Sequence, residues 1–230
     1  MQTLGLIFAM DEEMDALAKY IEIDKTYQIF DLTFLEGHYN NIKLILAKCG
    51  VGKVNAARCT QILIDNMKVD ALINVGVAGG LTDELSIGSL VVGEKLVQHD
   101  FDITAFNHEK GYIPEIGVYM PSDDYLIKKA LETSLKYNIP LFKGVIASGD
   151  IFCTDPKMAD KIHQKFKALC TEMEGASVAQ IAYLSHIPFL IIRSISDTPN
   201  NHNEKTYEEF LEESCAHVAN YLLHFLEELS

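Results

Sequence analysis

A chain of 230 residues, 48% of them hydrophobic, is long enough for one sizeable core and short of what two ordinary domains need. Acidic side chains number 33 and basic ones 19, and the resulting formal charge of −14 repels phosphate backbones and anionic lipid, which argues against nucleic-acid or membrane partners and suits a neutral or cationic small ligand. No run is long and apolar enough to span a bilayer, the opening Met1-Gln2-Thr3-Leu4 lacks the basic segment of a signal peptide, and five cysteines without a CxxC spacing read as reduced thiols, so a cytoplasmic location is expected.

Residues 4–10 read as a first strand. Asp11 is placed to cap the following helix, in which Met14, Leu17, Ala18 and Ile21 recur at helical spacing. Glu13 sits in the first turn beside that stripe and can point toward a crevice. Residues 33–39 and 42–49 form two strand-like runs around Asn40-Asn41, a pair that tolerates a tight hairpin. Gly50-Val51-Gly52 makes a turn before a helix over 53–67. A buried strand over 70–77 ends in Gly76-Val77-Ala78-Gly79-Gly80. That stretch fits a tight turn or a close backbone approach to a ligand, and it is neither a GxGxxG fingerprint nor a Walker motif.

A β-rich segment covers 85–99, broken near Gly93. Residues 101–121 have little periodicity and contain Gly111, Pro114 and Gly117, which is long for a plain connection and points to a functional loop or a partner contact. A helix is expected over 123–137 and a strand over 141–151, ending in Ser148-Gly149-Asp150. A helix over 155–166, a short strand into Thr171 and a helix over 174–185 follow. The run Phe189-Leu190-Ile191-Ile192-Arg193-Ser194-Ile195-Ser196-Asp197 opens as a strand buried on both faces and ends in a carboxylate. A last helix covers 207–229. Strands alternating with helices predict one domain over 1–230, of the α/β class: a three-layer α/β/α sandwich around a mixed, largely parallel central sheet.

Three strand ends deliver carboxylates: Asp11-Glu12-Glu13, Glu172-Met173-Glu174-Gly175 and Asp197. Open α/β sheets place ligands at the carboxyl ends of their strands, so an acid–base site with little need of a metal is expected there. Each cluster has a plainer reading, since Glu174 alone would suit the positive end of a helix. His99, Asp100 and Asp102 lack an accompanying HxH, HExxH or Cys/His cluster, and His163, His186, His202 and His217 are scattered, so no metal site is expected. Without a GxSxG elbow, Ser148, Ser194 and Ser196 do not read as nucleophiles. Cys153 lies near the proposed site with nothing to mark it as reactive.

Six motifs in order, Ala9-Met10-x-x-Glu13, Gly50-Val51-Gly52-Lys53, Asn74-x-Gly76-x-Ala78-Gly79, Ser148-Gly149-Asp150, Glu172-Met173-Glu174-Gly175 and Arg193-x-x-Ser196-Asp197, closely resemble those of the 5′-methylthioadenosine/S-adenosylhomocysteine nucleosidases of the purine nucleoside phosphorylase-like superfamily. The resemblance covers nearly the whole chain. It implies hydrolysis of the N-glycosidic bond to adenine, no cofactor and a homodimer. It casts Asp197 as the acid that protonates N7 and Glu13 as the base that activates water. Glu174 would hold the ribose hydroxyls, with Met173 beneath the ribose and Phe152 stacked on adenine. The backbone of Cys153 would read the adenine edge. Arg193 matches an arginine in the polar network near the water site, Glu172, Gly79 and Ser196 count among the substrate-binding residues, and Tyr207 falls beside the sugar. Phe106 and Pro114, in loop 101–121, would cover the 5′-alkylthio pocket of the other subunit. Val77 stands where relatives often carry Ser, and His108 where some carry an aromatic. The choice among methylthioadenosine, S-adenosylhomocysteine, 5′-deoxyadenosine and 6-amino-6-deoxyfutalosine therefore stays open.

The chemistry needs these groups. Breaking C1′–N9 leaves electron density on adenine and positive charge on ribose, so an acid at the ring and a carboxylate near the sugar both help. Phosphorylases of the same superfamily need cationic donors for phosphate, and the turn Met10-Asp11-Glu12-Glu13 has no Arg, which favours water as nucleophile. A non-catalytic nucleoside-binding module would keep Phe152, Met173 and Glu174 without needing both Glu13 and Asp197. A dehydrogenase lacks its glycine fingerprint.

Overall fold

Period-two alternation along the central strands sorts the core onto two faces. The computed structural model describes residues 3–198 and 203–230, with side chains from 206 onward in the last segment; His202 lies outside the described residues. In chain order the elements are β1 (Thr3–Phe8), α1 (Asp11–Ala18), β2 (Glu22–Ile29), β3 (Leu32–Tyr39), β4 (Ile42–Lys48), α2 (Lys53–Asp65), β5 (Ala71–Gly80), β6 (Leu90–Gln98), a 3-10 turn (Thr104–Phe106), β7 (Met120–Pro121), α3 (Asp124–Tyr137), β8 (Leu141–Ser148), α4 (Pro156–Phe166), β9 (Ala168–Glu172), α5 (Gly175–Leu184), β10 (Phe189–Asp197) and α6 (Asn203–Leu229). Leu4, Leu6 and Phe8 of β1, Ala71, Ile73 and Val75 of β5, and Leu190 and Ile192 of β10 face α3 and α6. Ile7, Leu72, Phe189 and Ile191 face α2 and α5 on the other side. Helices on both faces of a mixed sheet give the three layers the sequence predicts.

All ten strands join one sheet, and part of it closes on itself. β5 pairs in parallel with β10, β10 runs antiparallel to β6, β6 and β8 are parallel, β8 and β9 are parallel, and β9 returns antiparallel to β5. These five strands form a ring. From β5 the remainder continues as an open flank through β1, β4, β3 and β2. β5 changes neighbours along one side: its pairing with β1 ends at Asn74, and its pairing with β9 begins at Gly79. The opening between them is where the site forms.

Local signals explain most boundaries. Asp123 accepts from the Leu126 amide and caps α3; Asp155 accepts from the Lys157 amide and caps α4, whose first residue is proline. Asn40, at φ 52°, makes the hairpin turn between β3 and β4.

Three expectations change. The residue capping α1 is Met10, whose backbone N–H binds the Glu13 carboxylate, and Asp11 is an exposed first-turn residue. The stretch ending in Gly79-Gly80 is not a turn, since β5 stays extended through Gly80 to reach β9 and Asp197. The β-rich segment 85–99 becomes a strand only from Leu90, with its break a bulge between Gly93 and Lys95.

Candidate active site

Glu13 is held by three backbone amides at the parting of the sheet. Its Oε2 accepts from Ala9 N at 2.7 Å and Met10 N at 3.1 Å, and its Oε1 accepts from Val77 N at 3.1 Å. Val77 lies between the β1-paired and β9-paired parts of β5, so its N–H meets a side chain where a strand would otherwise be. Gly76 makes this approach possible: a Cβ there would stand 2.4 Å from Glu13 Oε1. Burial raises the Glu13 pKa, and Arg193 and the three amides pull against that rise.

Asp197 ends β10 and is 2% exposed. Ser196 Oγ donates to its Oδ1 at 2.9 Å. A Cβ on Gly79 would lie 3.2 Å from Asp197 Oδ2, so the second glycine of the motif also clears space for a carboxylate.

Glu172 ends β9 and ties the site's back wall together. Its Oε2 accepts from Glu174 N at 3.1 Å and Gly175 N at 2.7 Å, capping the start of α5. Ser148 Oγ donates to Glu172 Oε1 and itself accepts from Ala176 N at 2.7 Å. Arg193 Nη2 pairs with Glu172 and with Asn74 Oδ1, while Nη1 donates to the carbonyls of Asn74 at 3.1 Å and Ile192 at 3.0 Å. Asn74 Nδ2 donates to Ile7 O at 3.0 Å, which links three strands through one amide. Both partners of the ion pair are 2% exposed, so each supplies the other's lost hydration.

Glu174 lacks that compensation. Its Oε1 accepts from Gly52 N at 2.7 Å, and burial together with the neighbouring Glu172 charge pushes its pKa up to about 8.

These groups converge on a cavity of about 370 Å³, the size of a small-molecule site. Eleven sequence-predicted residues line it: Glu13, Val77, Gly79, Phe152, Cys153, Glu172, Met173, Glu174, Ser196, Asp197 and Tyr207. Phe152 meets Tyr207 edge-on, with ring centroids 5.5 Å apart, and the Tyr207 hydroxyl lies 3.2 Å from Met10 Sδ. Burial, then Asp155 and Asp197, push the Cys153 thiol up to about 11, so it is not primed as a nucleophile. Arg193 stands behind the wall and does not line the cavity. Phe106 is 75% exposed and Pro114 is also exposed, and neither reaches this cavity.

Sequence reasoning missed several residues. Val51 and Ile151 line the cavity from loops, Thr171 and Ala9 from strand ends, and Asn74 and Ser148 hold the back wall. Asn74 and Ser148 belong to the motifs quoted above, and a polar residue inside an apolar strand and another at a strand's end were the available signal. Among the described residues no three His, Cys, Asp or Glu side chains converge as metal ligands. The five cysteines are buried.

A closed five-strand ring flanked by helices, with a carboxylate-lined cavity at its strand ends, defines the class: residues 3–229 match the model of the phosphorylase superfamily, and the chain belongs to that family. Within it the similarity is to nucleosidases. The 5′-methylthioadenosine/S-adenosylhomocysteine nucleosidase of Bacillus licheniformis is 37% identical over 229 residues, covering 99% of each chain, and that of Bacillus thuringiensis is 36% identical over 228 residues, covering 98% of this chain and 99% of the other. Among solved structures, the nucleosidase of that name from Helicobacter pylori, complexed with a substituted pyrrolidine, superposes with a TM-score of 0.96 at 34% identity, covering 99% of this chain and 98% of that one. The native futalosine hydrolase of Helicobacter pylori gives the same TM-score of 0.96 at 34% identity, with the same coverage of 99% and 98%.

Proposed function

We propose that this chain hydrolyses the N-glycosidic bond of 5′-methylthioadenosine and S-adenosylhomocysteine, releasing adenine and the 5-thioribose product. One observation carries the reading: Glu13, from the first turn of α1, and Asp197, from the end of β10, line the same cavity as Phe152, Met173 and Glu174. Asp197, oriented by Ser196, delivers a proton to N7 as the bond to N9 breaks, so adenine leaves neutral. Glu13 orients water and accepts its proton while stabilising positive charge on the sugar. Glu174 accepts the ribose hydroxyls, and those bonds strengthen as the ribose becomes cationic. Phe152 stacks on adenine, the Cys153 backbone reads its edge, and Met173 and Tyr207 border the sugar. Val77 and Gly79 shape the wall between the two acids. Glu172, within the wall, fixes the start of α5, and Arg193 holds Glu172 from behind.

Water is the nucleophile in this reading, although the superfamily is named for phosphorolysis. Among the described residues the cavity lining holds Glu13, Glu172, Glu174 and Asp197 and no Lys or Arg. Such a wall repels phosphate. Adenine release in phosphate-free buffer tests this; strict dependence on added phosphate would overturn it.

The similarity to futalosine hydrolase keeps 6-amino-6-deoxyfutalosine, and with it 5′-deoxyadenosine, among the candidate substrates. These compounds share the adenosine part, and kcat/KM measured across all four ranks them. The reading includes one domain over 1–230, no cofactor, and a homodimer in which loop 101–121, through Phe106 and Pro114, completes the neighbour's pocket. The exposure of both residues supports that assembly. Five buried cysteines without a CxxC spacing support a cytoplasmic setting, and no helix among the described residues is long and apolar enough to cross a membrane.

A further inference from the structure

Outside the cavity, one residue is fastened at its amide, its carbonyl and its side chain alike. The Lys53 amide donates to Asp150 Oδ1 at 2.8 Å, and its carbonyl accepts from Ser177 Oγ at 2.6 Å. Its Nζ donates to Asp100 Oδ1 at 2.7 Å and Gln98 Oε1 at 3.1 Å. Asp100 Oδ2 accepts from Asp150 N at 3.0 Å, which closes a loop of contacts among Lys53, Asp100 and Asp150. The ion pair is sheltered, with side-chain exposures of 18% for Lys53 and 20% for Asp100. It joins the start of α2 to the end of β6 and to the segment after β8.

The residue before Lys53 is Gly52, at φ 100°, where a side chain is strained. That conformation aims the Gly52 amide at Glu174 Oε1. Val51, one residue earlier, walls the cavity. Fixing Lys53 therefore fixes both the donor that orients Glu174 and a piece of the pocket wall.

We infer that Lys53 and Asp100 are positioning residues for the ribose-binding carboxylate, acting through the Gly52 amide on Glu174. The inference rests on the nucleosidase reading and deepens it. Neither side chain lines the cavity, so their effect on substrate passes through this contact. Glu174 faces Glu172 from β9, Arg193 from β10, Glu13 from α1 and Cys49 beyond β4, and the Gly52 amide is among the influences that oppose the rise in its pKa. Loosening that amide raises the fraction of Glu174 that carries a proton, which cannot accept hydroxyl bonds in the same way.

The test compares wild type, Asp100→Asn and Lys53→Met in steady-state adenine release from methylthioadenosine across pH, with thermal melts alongside. The expected result is a kcat/KM lowered about tenfold at neutral pH, shared between a raised KM and a lowered kcat, because the carboxylate being disturbed holds the ribose in the bound state and more strongly in the transition state. The acid limb of kcat/KM also moves to higher pH in both variants. Lys53→Arg, which keeps the charge, recovers part of the loss. A purely structural role would lower Tm and active fraction and leave KM and the acid limb unmoved, and that outcome overturns the inference, as do wild-type kinetics in both variants. Should Asp100→Asn not fold, Lys53→Met and Lys53→Arg carry the same comparison. Failure of the nucleosidase reading looks different, because wild type itself would then release no adenine.

Discussion

Gly76 and Glu13 occupy space that only a glycine allows them to share: a Cβ at residue 76 would lie 2.4 Å from Oε1 and 3.0 Å from Cδ of the carboxylate. The carboxylate cannot simply step aside, because three amides on two elements grip it. Gly76→Ala should therefore displace the base and lower kcat on the order of 100-fold, the scale of an ångström's misplacement at a reacting centre. Adenine release measured against Tm separates this from unfolding; near-normal kcat would mean that Glu13 relaxes freely.

Asp197→Asn keeps the shape of the strand end and removes the proton donor. Turnover should fall about 10²–10⁴-fold while a non-hydrolysable adenosine analogue still binds. Single-turnover rates and calorimetric binding check the two halves. Near-normal adenine release would remove Asp197 from the mechanism.

The Arg193–Glu172 pair is buried, with both side chains 2% exposed. Removing one partner strands the other, so Arg193→Met should destabilise the fold by about 3–5 kcal/mol. The double variant Arg193→Met/Glu172→Gln should recover much of that loss, since no net charge is left without its partner. Urea melts of the three proteins decide it, and a double variant no better than the single one would show that the hydrogen bonds to Asn74 and α5 matter more than the charges.

Glu174 sets a pH dependence whose sign follows from its shift. Its pKa rises from 4.5 to about 8 on folding, so between those values the folded protein binds more protons than the unfolded chain. Its contribution to stability is greatest below the unfolded value and declines as pH rises through the folded one. Tm should fall between about pH 5 and pH 8, and Glu174→Gln should flatten that slope. Glu13, shifted in the same direction, leaves a residual slope in the variant. A wild-type Tm that climbs with pH over this window, with no change in the variant, would contradict the burial argument.

Phe106 is 75% exposed and meets no part of its own cavity. If it completes the neighbour's pocket, Phe106→Ala should leave Tm nearly unchanged and raise KM for methylthioadenosine about tenfold, the worth of a modest apolar contact. An unchanged KM would remove loop 101–121 from the site.

Local chemistry made much of this legible from sequence. Asp123 and Asp155 announced α3 and α4, and the apolar opening Phe189-Leu190-Ile191-Ile192 announced β10, buried at every position. β2 escaped notice because its residues Glu22 to Ile29 are mostly exposed and Lys25 interrupts the alternation of Ile23, Tyr27 and Ile29; it is held by pairing with β3. The ring was equally invisible, since β9 meets β5 through only two residue pairs far apart in sequence. Motifs located the carboxylates, but the reason for Gly76 and Gly79 emerged only with Glu13 and Asp197 beside them. Asn74, fastened to Ile7 and Arg193, reads in sequence as one polar residue in an apolar strand.

The ring of β5, β10, β6, β8 and β9 leaves those strands no free margin along which to peel apart. Asp197, Glu172 and Gly79 are thus set on a hoop whose geometry resists breathing, and their slow-exchanging amides should mark it. Admission of a nucleoside then falls to the rim, where Val51, Ile151 and Phe152 stand 48%, 45% and 42% exposed on connecting segments. Ile151, which makes none of the contacts assigned to the reacting groups, should when substituted alter how fast substrate comes and goes and leave the bond-breaking step alone.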